Sequence, residues 1–522
     1  MLNDVIANFL ATLSEVEFFD AFAAMLRANG FYDVHLTHGT AEHGKDFIAK
    51  RVEDGVVVQY GIQTKVGDIG VSSFRDCRNQ IESIRTTDLS HPAFDAQLTR
   101  RGILATTGRL TGQAPTEAQD YKRKYDSEEF SFDTWQISNL LDMVVGAPET
   151  GLAGEPDAAL LGAVAAVHEG TFDEDSLDRL SAGWANPIGE VQGLWRVALS
   201  GLVLANRLAR FGRRDLAALV GAHLVRAAWA RGGNADPPPA EVLGVADAGR
   251  GLLSYHAAAL FDEAQTMVEH PGRMIDTQSG LSTYVTYPVR CLRLLELVGL
   301  MGLAESDPSR RRAVASFCAD FILRQPGASH PISDRWAVCI PPAALLVHEL
   351  DPDLVGGWLQ EIAVWVADHY ERDGLGFAGP SAEPAEEVAR LLGSSLEHLQ
   401  LERRPDCLTA SVILDLSATF EMGEVYDSIV NEMMAARVYP TVVECDEGPG
   451  LYQDASEGVY VEPWVQYDGH YGDSEGWQCS GPHLRASPFF LQSIGRYWDL
   501  LAICSVMRDR CFPLVLRDLA GS

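Results

Sequence analysis

Lysine, paired cysteines and positive charge are all scarce in this chain. Its 522 residues hold nine cysteines, none of them in a Cys-x-x-Cys pair. Thiols scattered in this way argue against a disulfide framework and fit a reducing compartment. No run approaches the roughly 20 uncharged apolar residues of a membrane span, and the opening MLNDVIANFLATLSEVEFF carries acids where a secretory leader needs a basic start. A cytoplasmic protein with no membrane contact is therefore expected. With 41 basic against 73 acidic residues, the formal charge of -32 excludes nucleic-acid binding by bulk electrostatics, which needs a basic surface. It does not exclude a local site.

The scarcity is uneven. Residues 1–150 carry 14 Lys and Arg against 22 Asp and Glu, while the rest carries 27 against 51. Only five residues are Lys, and all five (Lys45, Lys50, Lys65, Lys122 and Lys124) fall in the first 124 positions. Where Arg is the default cation, a Lys is informative, because a guanidinium fork does not replace a compact ammonium at a reacting phosphate.

A chain of this length is too long for one core. Ser14 with Glu17 three residues on forms a capping box, and Phe18, Phe19, Phe22, Met25 and Leu26 recur at helical spacing up to Asn29-Gly30. Strands are expected near 33–37, 46–52 and 56–65, then a polar helix at 72–86 and a buried-type strand from Arg101 to Gly108. A helix near 115–124, an alternating strand at 129–135 and a helix from Ile137 to Val145 complete an α/β domain over residues 1–147. Residues 148–157, rich in Gly, Pro and acids, read as a linker. From 158 to 522 the pattern is helix after helix, an acidic all-α array of solenoid or toroid type, although no fixed-period repeat is found. Residues 438–486 interrupt it with acids, Gly and aromatics, an insertion of the kind that is often functional.

The chemistry concentrates in one hairpin. Asp46 opens a strand, a Glu53-Asp54-Gly55 turn follows, and the returning strand carries Gln63 and Lys65 two residues apart, hence on one face. A carboxylate, a carboxamide oxygen and an ammonium at adjacent strand positions outline a hard-cation site with a positioned lysine, the equipment of phosphodiester hydrolysis. Taken alone, the same residues are more readily explained as a solvated surface pair.

Their setting favours the first reading. The first ~145 residues resemble the restriction-endonuclease-like superfamily with the PD-(D/E)xK signature, in particular its Mrr-like branch, where Gln replaces the second acid. The likeness rests on Glu15 or Glu17 in the first helix, Gly44-Lys45-Asp46, Gln63-Thr64-Lys65, Leu104-Ala-Thr-Thr-Gly108 and Phe132-Asp-Thr-Trp135, in that order. The resemblance implies Mg²⁺ or Mn²⁺ held by Asp46 and Gln63 with the Thr64 carbonyl, Lys65 orienting or activating water, and Glu15 or Glu17 completing the site. The usual Gly-Gly-Asp lead-in is here His43-Gly44-Lys45-Asp46, which puts an extra cation, Lys45, beside the phosphate path. Gln80, on the following helix, is a candidate contact to the phosphate backbone. One carboxylate and a neutral amide make a weak cation site, so full occupancy is expected only with substrate phosphate present.

The implied activity is a metal-dependent DNA endonuclease, an antiviral or restriction effector controlled by its helical region, whose acidity points to a protein, a small signal or a second copy as partner. The alternatives are a non-catalytic binding or assembly protein that keeps an inactive nuclease fold, and an RNA-directed nuclease. Other constellations are weaker. Cys445, His470, Cys479 and His483 could ligate zinc, and buried thiols with exposed histidines explain them equally well. The acids around Asp446 and Asp468 lack EF-hand spacing, and Tyr452, Trp464 and Trp477 suit either stacking or packing.

Overall fold

The computed structural model describes residues 2–37, 46–88, 91–154, 157–186, 191–232, 237–268, 280–372, 374–380, 382–393, 401–440, 443–444, 459–460 and 497–507. Most of the aromatic segment at 438–486, including all four zinc candidates, lies outside them. The chain divides into two compact units, one of residues 1–162 with 192–203 and one of residues 163–191 with 204–522.

The first unit is built on a five-stranded sheet in the order β1-β2-β3-β4-β5, with β1 Tyr32–Leu36, β2 Phe47–Glu53, β3 Val56–Lys65, β4 Arg100–Thr106 and β5 Phe130–Trp135. The first three strands are antiparallel neighbours; β3–β4 and β4–β5 are parallel. The β2–β3 hairpin turns at Asp54 and Gly55, both at positive φ, which glycine adopts without strain. β3 is the central strand and is buried from Val58 to Thr64, as expected for a strand covered on both faces. The helices are α1 Leu2–Thr12, α2 Glu15–Ala28, α3 Val71–Thr86, α4 Ala114–Tyr125 and α5 Ile137–Val145.

The periodic apolar residues explain the layers. Phe19 and Phe22 of α2 meet Phe47 of β2 edge-on at 5.8 and 5.5 Å, and Phe31 and Tyr60 join Trp135 in the same aromatic cluster. A second cluster packs Phe74, Cys77, Ile81 and Ile84 of α3 with Ala118 and Tyr121 of α4 against Leu104, Phe130 and Phe132. Gly61 of β3 admits α3 closely: a Cβ there would stand 2.6 Å from the Ile84 Cγ2. The expected α/β domain is present, with one helix the sequence reading omitted, α1, whose Val5, Ile6, Phe9 and Leu10 are buried. Residues 148–152, read as linker, form a 3-10 helix with Pro148, Thr150 and Gly151 buried.

The second unit is helical. Its longer helices span Arg214–Gly232, Ala240–Gln265, Gly280–Ala304, Pro308–Arg324, Ile340–His348, Pro352–Arg372, Leu408–Thr419, Gly423–Ala435 and Tyr497–Met507, and an unanticipated one spans Glu174–Trp184. The first two cross at glycines: a Cβ on Gly221 would lie 2.4 Å from the Gly249 carbonyl oxygen, and one on Gly249 would lie 2.5 Å from that of Gly221. Buried polar groups staple other helices. Asp334 accepts the Thr409 N–H and hydroxyl on Oδ1 and Arg404 on Oδ2 at 2.6 Å, and Asp499 takes Trp229 Nε1 and Arg250. Among the described residues no helix is long and apolar enough to cross a membrane.

Candidate active site

Register settles whether the hairpin residues meet. Phe47 pairs with Ile62, and one step outward the Asp46 N–H donates to the Ile62 carbonyl at 2.9 Å, which sets Asp46 opposite Gln63 at the strand end. Both are buried, at 5% and 2% exposure. Asp46 Oδ2 accepts three hydrogen bonds: Thr64 N–H at 2.7 Å, Thr64 Oγ1 at 2.8 Å and Gln63 Nε2 at 2.7 Å. Its Oδ1 accepts none among the described residues.

This bonding orients the carboxamide. With Nε2 committed to Asp46, and more distantly to the Thr64 carbonyl at 3.4 Å, the Gln63 Oε1 is left buried with no hydrogen-bond partner among the described residues. An orphaned buried acceptor costs about 1–3 kcal/mol and calls for an explanation. The second carboxylate oxygen, the orphaned amide oxygen and the adjoining Thr64 carbonyl form an all-oxygen donor set of the kind hard divalent cations take. No group of three or more His, Cys, Asp or Glu occurs among the described residues, so a nitrogen- or sulfur-rich metal centre has no counterpart there.

Burial raises the Asp46 carboxyl above its ordinary value, against the Thr64 hydrogen bonds and the Lys65 charge, which lower it. Desolvation therefore dominates, and a cation placed against the free oxygen would favour the charged form. Lys65, at the end of β3, directs its ammonium to Glu15 Oε1 at 2.7 Å. Burial disfavours that charge, but the hydrogen bond and charge of Glu15 together with Cys77 and Asp46 outweigh it and hold Lys65 above its ordinary value. The ammonium is thus protonated and partly solvent-exposed, with 33% of its side chain accessible.

Of the two candidate glutamates, both on α2, only Glu15 joins the site. Glu17 Oε2 instead accepts the Ser14 N–H at 2.7 Å, and the Ser14 hydroxyl accepts the Glu17 N–H at 3.4 Å. The Ser14 hydrogen bonds lower the Glu17 carboxyl. The capping box that the sequence announces is the reason Glu17 is unavailable: a helix N-terminus leaves N–H groups to satisfy, and the side chain three residues on reaches back to do so. Gln80 stands half-buried on α3 and makes no hydrogen bond to the site residues. Lys45 lies outside the described residues.

Sequence reasoning missed the clamp that fixes the strand end. Lys65 pairs with Thr106 across the parallel β3–β4 ladder. Beyond it the Thr106 hydroxyl donates to the Gly67 carbonyl, the Thr107 hydroxyl accepts the Gly67 N–H at 2.9 Å, and the Thr107 N–H donates to the Lys65 carbonyl at 3.2 Å. Gly108 is obligatory, since a Cβ would stand 2.3 Å from the Gly67 carbonyl carbon. The Thr-Thr-Gly string was visible as a strand end, but nothing local told which turn it grips. Trp135, from the closing Phe-Asp-Thr-Trp block, belongs to the aromatic core instead of the site.

Residues 10–126 match the family of Mrr-type catalytic domains described as restriction endonuclease, a span that includes Glu15, Asp46, Gln63 and Lys65. No curated protein and no solved structure matches the chain.

Proposed function

We propose that the Mrr-like restriction-endonuclease domain at the N-terminus is a Mg²⁺- or Mn²⁺-dependent endonuclease cutting phosphodiester bonds of DNA, and that the acidic helical region decides when it acts, in the manner of an antiviral restriction effector. The observation that carries the reading is the opposition of Asp46 and Gln63, each with an oxygen unspent, beside a protonated Lys65. Asp46, Gln63 and the Thr64 carbonyl fit a hard cation and would hold it. Such an ion supplies Lewis-acid activation of water and offsets charge on the scissile phosphate.

The chain's own residues do the rest. Thr64 and Gln63 pin one oxygen of Asp46, which fixes the other in direction. Lys65 offers a proton-bearing cation at the mouth of the site, suited to orienting water or a phosphate oxygen, and Glu15 holds it in place. With only one full carboxylate the ligand set is weak for a bare cation, so occupancy depends on the substrate phosphate. That dependence suits a nuclease kept quiet until its helical region meets a protein, a small signal or a second copy of the chain.

The test is cleavage of plasmid DNA and of a matched RNA by the full chain with Mg²⁺, Mn²⁺ or EDTA. Metal-dependent DNA cleavage that Asp46→Ala and Lys65→Ala each abolish supports the reading. Undiminished cleavage in both variants would remove the site from consideration, and preference for RNA would reassign the substrate.

A further inference from the structure

The helical unit carries an open cleft of about 440 Å³, within the range of roughly 300–1,000 Å³ typical of small-molecule sites. Leu216, Leu260, Met267, Leu294 and Leu297 give it an apolar lining. Charged side chains of both signs line it as well, Arg213, Arg290 and Arg293 with Glu174, Asp215 and Glu263. Charged side chains set among apolar ones are costly to keep for packing alone, because each loses hydration.

The charged groups differ in how firmly they are held. Arg293 is nearly buried, bonded to Glu174 at 2.6 Å and to Glu296, with its guanidinium 5.2 Å from the Trp336 ring centre. Trp336 also lines the cavity, and its buried indole N–H has no hydrogen-bond partner among the described residues. Arg213, by contrast, is 44% exposed in its side chain, bonded through Nε and Nη2 to Asp215, two residues on, at 3.1 Å, and through Nη1 to the Phe172 carbonyl at a long 3.4 Å. An exposed pair of this kind contributes little and exchanges readily for a stronger acceptor. The cavity therefore presents apolar side chains, acceptors and donors among them, and one solvent-exposed guanidinium fork suited to a phosphate.

We propose that this cavity binds a nucleotide, the base lying against the apolar lining with its polar edge toward the carboxylates and Trp336, and the phosphate directed to Arg213. The proposal stands apart from the nuclease reading, since every residue it uses lies in the helical unit.

Isothermal titration calorimetry on the full chain carrying Asp46→Ala, in EDTA, tests it without interference from the nuclease centre. The probes are ATP, GTP, CTP and UTP, with the four nucleosides and inorganic phosphate as separate arms. At least one triphosphate is expected to bind at about 0.1 mM or tighter, roughly −5.5 kcal/mol. Its nucleoside is expected to bind at least tenfold more weakly. Arg213→Ala, at an exposed position, and Leu260→Trp, which fills the hollow, should each weaken binding at least tenfold, with circular dichroism confirming that both variants fold. Absence of binding by all four triphosphates overturns the proposal. So does binding that both substitutions leave unchanged, or binding by inorganic phosphate as tight as that by the triphosphates.

Discussion

Two buried aspartates, one in each unit, are bonded almost alike and end differently. Asp46 and Asp334 each accept the N–H and the hydroxyl of one threonine, Thr64 and Thr409, on a single carboxylate oxygen. At Asp334 the second oxygen is taken by Arg404 at 2.6 Å, and the charge is neutralised within the protein. At Asp46 the second oxygen has no partner among the described residues, and the neighbour across the strand is a neutral amide whose own oxygen is orphaned. The same threonine grip thus serves a staple in one place and, in the function proposed above, an incomplete coordination sphere in the other. What distinguishes them is whether the chain supplies the cation.

The comparison can be broken by deletion. Asp46→Ala should lower DNA cleavage by at least about 10³-fold, the scale of losing an essential group in a metal-assisted step, while denaturant unfolding shifts little. Asp334→Ala should do the reverse, costing about 3–5 kcal/mol of stability by removing the buried carboxylate that both Arg404 and Thr409 bond, with no direct effect on the catalytic step. Equal stability losses in the two variants would show that Asp46 is a staple as well.

It can also be sharpened by adding charge. Gln63→Glu places a second carboxylate at the orphaned position, and the Mg²⁺ concentration giving half-maximal cleavage should fall several-fold, because ligand charge count tunes affinity for hard cations. An unchanged metal requirement would mean that the amide oxygen is not a ligand.

The helical unit holds a titratable counterpart with no partner. His256 is buried with neither ring nitrogen hydrogen-bonded among the described residues, and burial, with a smaller push from Arg214, lowers it to about 4. The folded state binds this proton more weakly than the unfolded one, so stability is full above about pH 6.5 and falls as pH drops toward 4. The loss is on the order of 1–3 kcal/mol. Chemical denaturation of wild type and His256→Leu across that window should show the steeper decline only in wild type. The smallest effect is expected at α2, where Ser14→Ala removes half of the capping box and costs about 1 kcal/mol. Thermal melting measures it, and the Lys65–Glu15 contact one residue further on should survive.

Legibility in the sequence followed the range of the interactions involved. The α/β pattern, the hairpin and the capping box were readable because each is decided within a few residues. Asp46 opposite Gln63 needed only the hairpin register, which a tight turn fixes. The choice of Glu15 over Glu17 was hidden, although the same reading recognised the capping box that commits Glu17. The grip of Thr106 and Thr107 on Gly67 joins parallel strands about 40 positions apart and leaves no local trace. Helix Leu2–Thr12 has no strong flanking signal, Glu174–Trp184 has one that sequence reasoning missed, the Asp173 N-cap with acids in the first turn, and residues 148–152 show linker composition yet pack as a 3-10 helix.

The threonine clamp has a consequence for synthesis. A nascent chain that has emerged as far as residue 100 already carries Glu15, Asp46, Gln63 and Lys65, yet has nothing to hold the backbone that follows the lysine. Strand β4 supplies that support only when Thr106, Thr107 and Gly108 arrive, and β4 in turn needs β5 on its far edge. The ribosome therefore delivers the proposed catalytic side chains well before the part that sets them, and a prematurely terminated product of that length would hold all of them without a finished site.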